Sequence, residues 1–161
     1  MYKKYDNKIL LVDDDTKNLQ VAMNILKNYN VIYAQNGEKA FELLEKNNFD
    51  LILLDVVMPM MDGYNVCSKI KENEKTKNIP IVFLTVKDDE QDIVKGFELG
   101  AVDYITKPFY SEVLLKRVEV HLKIARLMSE LKHVNSNLNK TVKEQVEQIR
   151  QKDEIIVQQS K

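Results

Sequence analysis

The stretch ILLVDDDTKN, residues 9–18, runs from four consecutive apolar residues directly into three aspartates. Continuous apolarity is typical of a strand that is covered on both faces, as the strands of a parallel sheet are. Carboxylates this close repel one another, so a fold that gathers them protonates one, hydrates them or holds a cation between them. A second interpretation stays open, in which Asp15 caps the next helix and its neighbours point into water.

Short apolar runs recur along the chain and are separated by amphipathic stretches of helical length. After the first run they are VIYA (31–34), LILL (51–54), IVFL (81–84) and VDYI (102–105). Strand followed by helix, repeated in this way, predicts an α/β fold with a doubly wound, five-stranded parallel sheet.

Composition excludes several classes of protein and partner. A chain of 161 residues fits one domain with an appended segment. Its net charge of -1 and pI of about 6.2 predict no direct partner among nucleic acids or membrane surfaces. One cysteine, Cys67, excludes an internal disulfide framework and is expected to serve packing. The lack of an apolar N-terminal segment predicts a cytoplasmic location without a membrane anchor.

The residues that follow the strands suggest a specific chemistry. In open parallel sheets, ligands bind beyond the carboxyl ends of the strands. Three carboxylates there form an all-oxygen site of the kind that Mg²⁺ prefers, and an aspartate can also act as a nucleophile towards phosphorus. A lysine and a hydroxyl would stabilise the phosphoryl oxygens during transfer. The residues expected to converge on this rim are Asp13, Asp14, Asp55, Thr85 and Lys107.

With these residues in place, the sequence resembles the receiver domain of two-component response regulators over residues 8 to 122. Four motifs carry the resemblance in the same order and at the same spacing: LLVDDD (10–15), LILLDVVMPMMDG (51–63), FLTVKD (83–88) and GAVDYITKPF (100–109). The resemblance implies a flavodoxin-like sheet with strand order 2-1-3-4-5. It also implies a histidine kinase, a phosphotransfer protein or a small phosphodonor as the partner.

The resemblance implies a role for each residue of the rim. Asp55 is then the phosphoacceptor, Asp14 and Asp55 bind Mg²⁺ directly, Asp13 acts mainly through water, and Val57 offers its backbone carbonyl to the metal. Thr85 and Lys107 contact the phosphoryl group.

A switch is implied as well. Tyr104 matches the aromatic residue that rotates between exposed and buried positions as the Thr85 hydroxyl moves towards a phosphoryl oxygen. The Lys107–Pro108 peptide bond is expected to be cis.

From Ser111 to the end of the chain there is no proline or glycine, which predicts one uninterrupted helix. Apolar residues on it step by alternating threes and fours, as in the seam of a coiled coil. We therefore predict a receiver domain over residues 1–122, a coiled-coil helix over 123–161 and a homodimer. A solvated single helix is the alternative. The seam comprises Ile124, Leu127, Leu131, Val134 and Leu138, and then, in a locally unwound part, Val142, Val146, Ile149 and Asp153.

The last ten residues, KDEIIVQQSK (152–161), resemble the linker that leads into the core of some sensor histidine kinases, which implies that the chain continues into such a core. His121 and His133 are interpreted as surface residues of the helix. The sequence thus predicts a phosphorylation switch and not an enzyme. A phosphatase of the haloacid dehalogenase type is disfavoured because Lys17 stands where that family carries threonine. A scaffold that is never phosphorylated is disfavoured because every chemical position is filled.

Overall fold

The computed structural model describes residues 6–60, 62–86 and 90–159. Five strands form one parallel sheet in the order β2-β1-β3-β4-β5, which confirms the predicted fold. The elements are β1 (Lys8–Val12), α1 (Thr16–Ile25), β2 (Asn30–Ala34), α2 (Gly37–Lys46), β3 (Leu51–Asp55), α3 (Gly63–Glu72), β4 (Ile81–Thr85), α4 (Glu90–Glu98), β5 (Asp103–Thr106) and α5 (Ser111–Gln159).

Helices on both faces of the sheet explain the continuous apolar runs. Alternate side chains of a strand point to opposite faces, so a strand covered on both sides needs apolar residues throughout. Leu10 and Ile52 belong to the cluster that includes α2 and α3. Ile9 and Leu51 belong to the cluster that includes α1 and the first turns of α5. Their side chains are all fully buried, and the sheet has a hydrophobic core on each face.

The polar residues at the carboxyl edge of the sheet are held by local backbone geometry. Asp15 caps α1, where its side chain accepts a 2.8 Å hydrogen bond from the Lys17 N–H. The capping interpretation therefore holds for Asp15, whereas Asp13 is completely buried. Asp62 caps α3 in the same way and receives the Asn65 N–H at 2.8 Å. Helix α1 thus begins soon after β1 ends, and α3 begins after the loop that follows β3, with its first residue bonded to the Val56 carbonyl.

The chain divides into two compact units, one up to Lys123 and one from Ile124 onwards. Within the first unit, α5 buries Leu114, Val118 and Leu122. In the second unit every predicted seam position is exposed. Within the described ranges, no helix combines the length and the apolarity that crossing a membrane requires.

Candidate functional site

Three carboxylates come together where β1 and β3 end. Asp13, Asp14 and Asp55 each offer an oxygen, and these oxygens all lie within 4.8 Å of one another. Asp13 is fully buried and Asp55 is 4% exposed, whereas Asp14 is exposed to solvent. The Asp13 carboxylate is fixed by the Asp15 N–H, which donates to its Oδ1 at 2.9 Å. The cluster thus has a buried inner part and an open outer part.

Lys107 inserts its ammonium group between the two buried carboxylates. Its Nζ lies 2.8 Å from Asp13 Oδ2 and 3.1 Å from Asp55 Oδ1. The lysine follows β5, and its backbone N–H donates to the Thr85 carbonyl at 2.9 Å. The Lys107–Pro108 peptide bond is cis, as predicted. The structure therefore brings Asp13, Asp14, Asp55, Thr85 and Lys107 to one rim, as the strand-end argument requires.

The pairing between Lys107 and Asp13 was not predicted from the sequence. The resemblance implies that Lys107 contacts the phosphoryl group and that Asp13 binds the metal mainly through water. In this structure Lys107 and Asp13 instead form an ion pair, which is shorter than the pair between Lys107 and Asp55. Asp55 Oδ1 also accepts the Val57 N–H at 3.2 Å. Asp55 is thus held from two sides through one of its oxygens.

Burial and charge act in opposite directions on the two central groups. Burial raises the pKa of Asp55 to about 6, because desolvation outweighs the nearby Lys107 ammonium and is reinforced by the Asp13 carboxylate. For Lys107, burial alone would lower the pKa, but Asp13 and Asp55 together raise it. Lys107 therefore stays charged, whereas Asp55 carries a carboxylate whose charge is poorly compensated.

A hard divalent cation fits this donor set. Carboxylate oxygens are the ligands that Mg²⁺ prefers, and the exposed Asp14 gives an ion access from solvent. Asp13 Oδ2 is buried and, among the described residues, receives no well-aligned hydrogen bond, so the ion pair with Lys107 alone compensates it. A cation bound here would supply the further positive charge that balances the buried carboxylates. The predicted use of the Val57 carbonyl as a ligand stays a prediction.

The loop after Asp55 is tightly constrained. The Gly63 N–H donates to the Val56 carbonyl at 2.7 Å, and a Cβ on Gly63 would collide with the backbone carbonyl of Asp55. Only glycine lets α3 begin this close to the backbone of Asp55. Met60 has a positive φ of 69°, the left-handed region that non-glycine residues rarely adopt, and its side chain is fully exposed.

Replacing Met60 by glycine should therefore stabilise the protein. The left-handed conformation costs a residue with a Cβ about 1–2 kcal/mol, and the extra flexibility of glycine in the unfolded chain offsets part of that gain. We expect the free energy of unfolding to rise by about 0.5–1 kcal/mol, measured by urea denaturation. Met60→Ala, which keeps the Cβ, is the control and should give no increase. Equal stabilisation by both variants would contradict the strain.

Tyr104 is half-buried beside a small cavity between α4 and the sheet. Its ring meets the Phe97 ring edge-on, with centroids 6.3 Å apart, and the Arg117 guanidinium lies 5.8 Å from its centroid. Thr85, 6% exposed, lines the same cavity. Tyr104 and Thr85, the two residues that are predicted to change position in the switch, therefore line the same cavity.

The interpretation of His121 as a surface residue is wrong. Its side chain is 13% exposed, and its Nε2 lies 2.9 Å from Asp103 Oδ2. Arg117, one turn earlier on α5, contacts the other oxygen of Asp103 and the Tyr104 carbonyl. Burial alone would raise the pKa of Asp103. The hydrogen bonds from His121 and from the Tyr104 N–H, followed by the contacts with Arg117, outweigh that effect and lower the pKa. The four-residue spacing of Arg117 and His121, which places both on one face of α5, was the sequence feature that could have indicated a shared partner. His133 is exposed, as predicted.

Comparison with known proteins points to one family. Residues 9–119 match the response regulator receiver domain family. Among curated relatives, a "Probable cyclic di-GMP phosphodiesterase" of Vibrio cholerae is 42% identical over 135 residues, which are 83% of this chain and 31% of that protein. The nisin biosynthesis regulatory protein NisR of Lactococcus lactis is 37% identical over 83% of this chain and 58% of its own length. The chain thus spans about a third to three fifths of these relatives.

Solved structures agree in fold and sequence. The signal receiver domain of a signal transduction histidine kinase from Syntrophus aciditrophicus has a TM-score of 0.67 and 36% identity, covering 73% of this chain and 90% of that one. A two-component response regulator from Clostridium difficile has a TM-score of 0.69 and 32% identity, covering 73% and 97%. Each match covers 73% of the chain, which is about the length of its first unit.

Proposed function

The chain belongs to the response regulator receiver domain family, and on that premise we propose that Asp55 accepts a phosphoryl group. Receivers are signalling modules of two-component systems that interact with histidine kinases or phosphotransfer proteins. The observation that supports Asp55 as the acceptor is its position: a nearly buried carboxylate at the end of β3, beside Lys107 and within reach of Asp14. The donor we propose is a phosphohistidine on such a partner, or a small acyl phosphate.

The transfer step follows from these contacts. Asp55 Oδ1 is held by Lys107 and by the Val57 N–H, so we assign the attack on phosphorus to Oδ2. A phosphorus–oxygen bond forms as the phosphorus–nitrogen bond of the donor breaks, and the imidazole leaves with that electron pair. Lys107 and Thr85 stabilise phosphoryl oxygens. Mg²⁺ held directly by Asp14, Asp55 and the Val57 carbonyl, and mainly through water by Asp13, would neutralise phosphoryl charge and favour the ionised form of Asp55.

The output we propose is a change of conformation. The Thr85 hydroxyl moves towards the phosphoryl group, and Tyr104 turns into the cavity that both residues line. The change is then relayed through α5 to an output domain, with residues 1–122 acting as the receiver and 123–161 as the signalling helix. A histidine kinase core of the same protein is one such output. We propose no catalytic turnover and no direct nucleic-acid or membrane contact for this chain, and we place it in the cytoplasm.

We further propose that the signalling helix forms a parallel homodimer. Its seam positions from Ile124 to Ile149 carry apolar side chains that are about half exposed or more, including Leu127 at 49%, Leu131 at 61%, Val134 at 58% and Leu138 at 57%. A continuous apolar stripe of this length on one helix is a surface that another helix covers. Charged residues elsewhere on the helix, such as Arg150, pair within the helix itself, with Glu147 and Glu154.

Incubation of the full chain with acetyl phosphate and Mg²⁺ tests the assignment of the phosphoacceptor. We expect intact-mass spectrometry to show one added phosphoryl group per chain, and peptide mapping to place it on Asp55. Continuous release of phosphate from a phosphomonoester such as para-nitrophenyl phosphate, without a stable adduct, would favour the phosphatase. Absence of any adduct would leave the scaffold as the better description.

A further inference from the structure

The cavity beside Tyr104 is too small for the switch that we propose. Its volume is about 10 Å³, room for about one water molecule, whereas a phenol ring needs several times that space. Phe97 and Ile93 of α4 form part of its wall, together with Phe83 of β4. For Tyr104 to turn inwards, α4 therefore has to move away from the sheet. The groups that hold α4 in place set how easily the switch operates.

Helix α4 packs tightly against the sheet at Gly96. A Cβ on Gly96 would lie 3.0 Å from the Phe83 ring, closer than almost all real contacts of this kind. Gly96 is buried at this contact. Helix α4 thus lies closer to β4 than a residue with a side chain would readily permit, and we infer that the cavity enlarges through a shift of the helix as a body.

Tyr64, the second residue of α3, holds α4 at two points one helical turn apart. Its hydroxyl donates a 3.2 Å hydrogen bond to the Asp92 carbonyl, and the Lys95 Nζ lies 4.5 Å from the centroid of its ring. The side chain is 8% exposed and meets the Phe83 ring edge-on at 5.4 Å. No sequence motif assigns Tyr64 a role, because its partner is the backbone carbonyl of Asp92.

The same residue is attached to the phosphoacceptor loop. Tyr64 follows Gly63, whose N–H is bonded to the carbonyl of Val56, the residue after Asp55. A displacement of this loop therefore reaches the Tyr64 ring through one tightly packed turn. Burial, reinforced by the carboxylates of Asp92 and Asp62, raises the pKa of Tyr64, which keeps the hydroxyl protonated as a donor.

We propose that Tyr64 is a positioning residue that holds α4 against the sheet and so opposes the inward turn of Tyr104. This inference rests on the proposed phosphorylation switch and adds to it the contact that sets its threshold. Asp55 and Tyr104 are then coupled through α4 as well as through Thr85. Weakening the contact should make the active arrangement easier to reach without altering the acidic site.

Tyr64→Phe tests the proposal, because it removes the hydroxyl and keeps the ring. The full chain is titrated with beryllofluoride in the presence of Mg²⁺, and the ring resonances of Tyr104 are followed by NMR. We expect the half-saturating concentration to fall about fivefold, the change that corresponds to one ordinary hydrogen bond. Tyr33→Phe, which changes a half-exposed tyrosine on the edge strand β2, is the matched control and should leave the titration unchanged.

Lys95→Gln provides a second variant that acts on the other contact of the ring. We expect it to shift the titration in the same direction by about two- to fivefold, the range of an exposed cation–π contact. A chemical unfolding curve of each variant separates stability from switching, since a merely structural role would move the unfolding midpoint and leave the titration where it is.

The possible outcomes are distinct. A titration of Tyr64→Phe that coincides with that of the wild type, or a higher half-saturating concentration, overturns the role of Tyr64 while the wild-type response still supports the phosphorylation switch. If the wild type itself binds no beryllofluoride at Asp55, the proposed function is overturned, and the role of Tyr64 falls with it.

Discussion

Replacement of Asp55 by asparagine is expected to abolish phosphorylation of the chain. The amide is a far weaker nucleophile than a carboxylate and cannot form a stable acyl phosphate. We expect the rate of adduct formation from acetyl phosphate to fall by about 1,000-fold or more, as happens when an enzyme loses its nucleophile. Intact-mass spectrometry under single-turnover conditions provides the measurement.

Asp15→Asn is the matched control for this experiment. It makes the same chemical change two residues from Asp13, at a side chain that caps α1 and to which we assign no ligand. Asparagine caps helices about as well as aspartate, so both folding and phosphorylation should be retained within about twofold. Equal modification of Asp55→Asn and the wild type would refute the assignment of the acceptor.

Loss of the fold is not expected to account for the effect of Asp55→Asn. In the native protein, Asp55 is a desolvated carboxylate close to the Asp13 carboxylate, and burial raises its pKa. The neutral amide relieves this repulsion, and Lys107 keeps its 2.8 Å ion pair with Asp13. The thermal unfolding midpoint should therefore stay the same or rise. A marked fall would mean that Asp55 is chiefly a structural partner of Lys107.

The sequence predicted the fold because the central strands β1, β3 and β4 are buried on both faces. The run LILL in β3 has no polar position, and its residues supply both hydrophobic clusters in alternation. A pattern of this kind has few structural solutions other than a covered parallel sheet. Strand ends then placed Asp13, Asp55 and Lys107 at one edge without any knowledge of the loops.

What the sequence could not provide are contacts that depend on helix position. Tyr64 bonds a backbone carbonyl of α4, and His121 reaches Asp103 only because that turn of α5 lies beside β5. The Tyr64 contact leaves no pattern in residue type, and the spacing of Arg117 and His121 does not identify Asp103 as their partner, since both contacts arise from how two elements pack. The pairing of Lys107 with Asp13 belongs to the same class, because several carboxylates at one rim offer equivalent partners.

Leu131→Asp is expected to dissociate the proposed homodimer. Leu131 is 61% exposed in the single chain, and each dimer would bury two copies of it at the centre of the seam. Losing about 1.5–3 kcal/mol of apolar burial from each copy weakens the dimer by more than about 100-fold, and the paired carboxylates add to this. Light scattering at tens of micromolar should change from the mass of a dimer to that of a monomer.

The neighbouring variant Lys132→Asp distinguishes the seam from a general effect of charge. It introduces the same carboxylate one residue away, off the predicted stripe, so the dimer should persist.

Replacing Asp153 by leucine is expected to strengthen the dimer. A parallel dimer brings the two Asp153 side chains together on the seam, and replacing them by leucine removes that repulsion and should tighten association at least tenfold. A monomeric wild type at these concentrations would instead favour the solvated single helix, in which Asp153 and Leu131 are both exposed and neither substitution changes the mass.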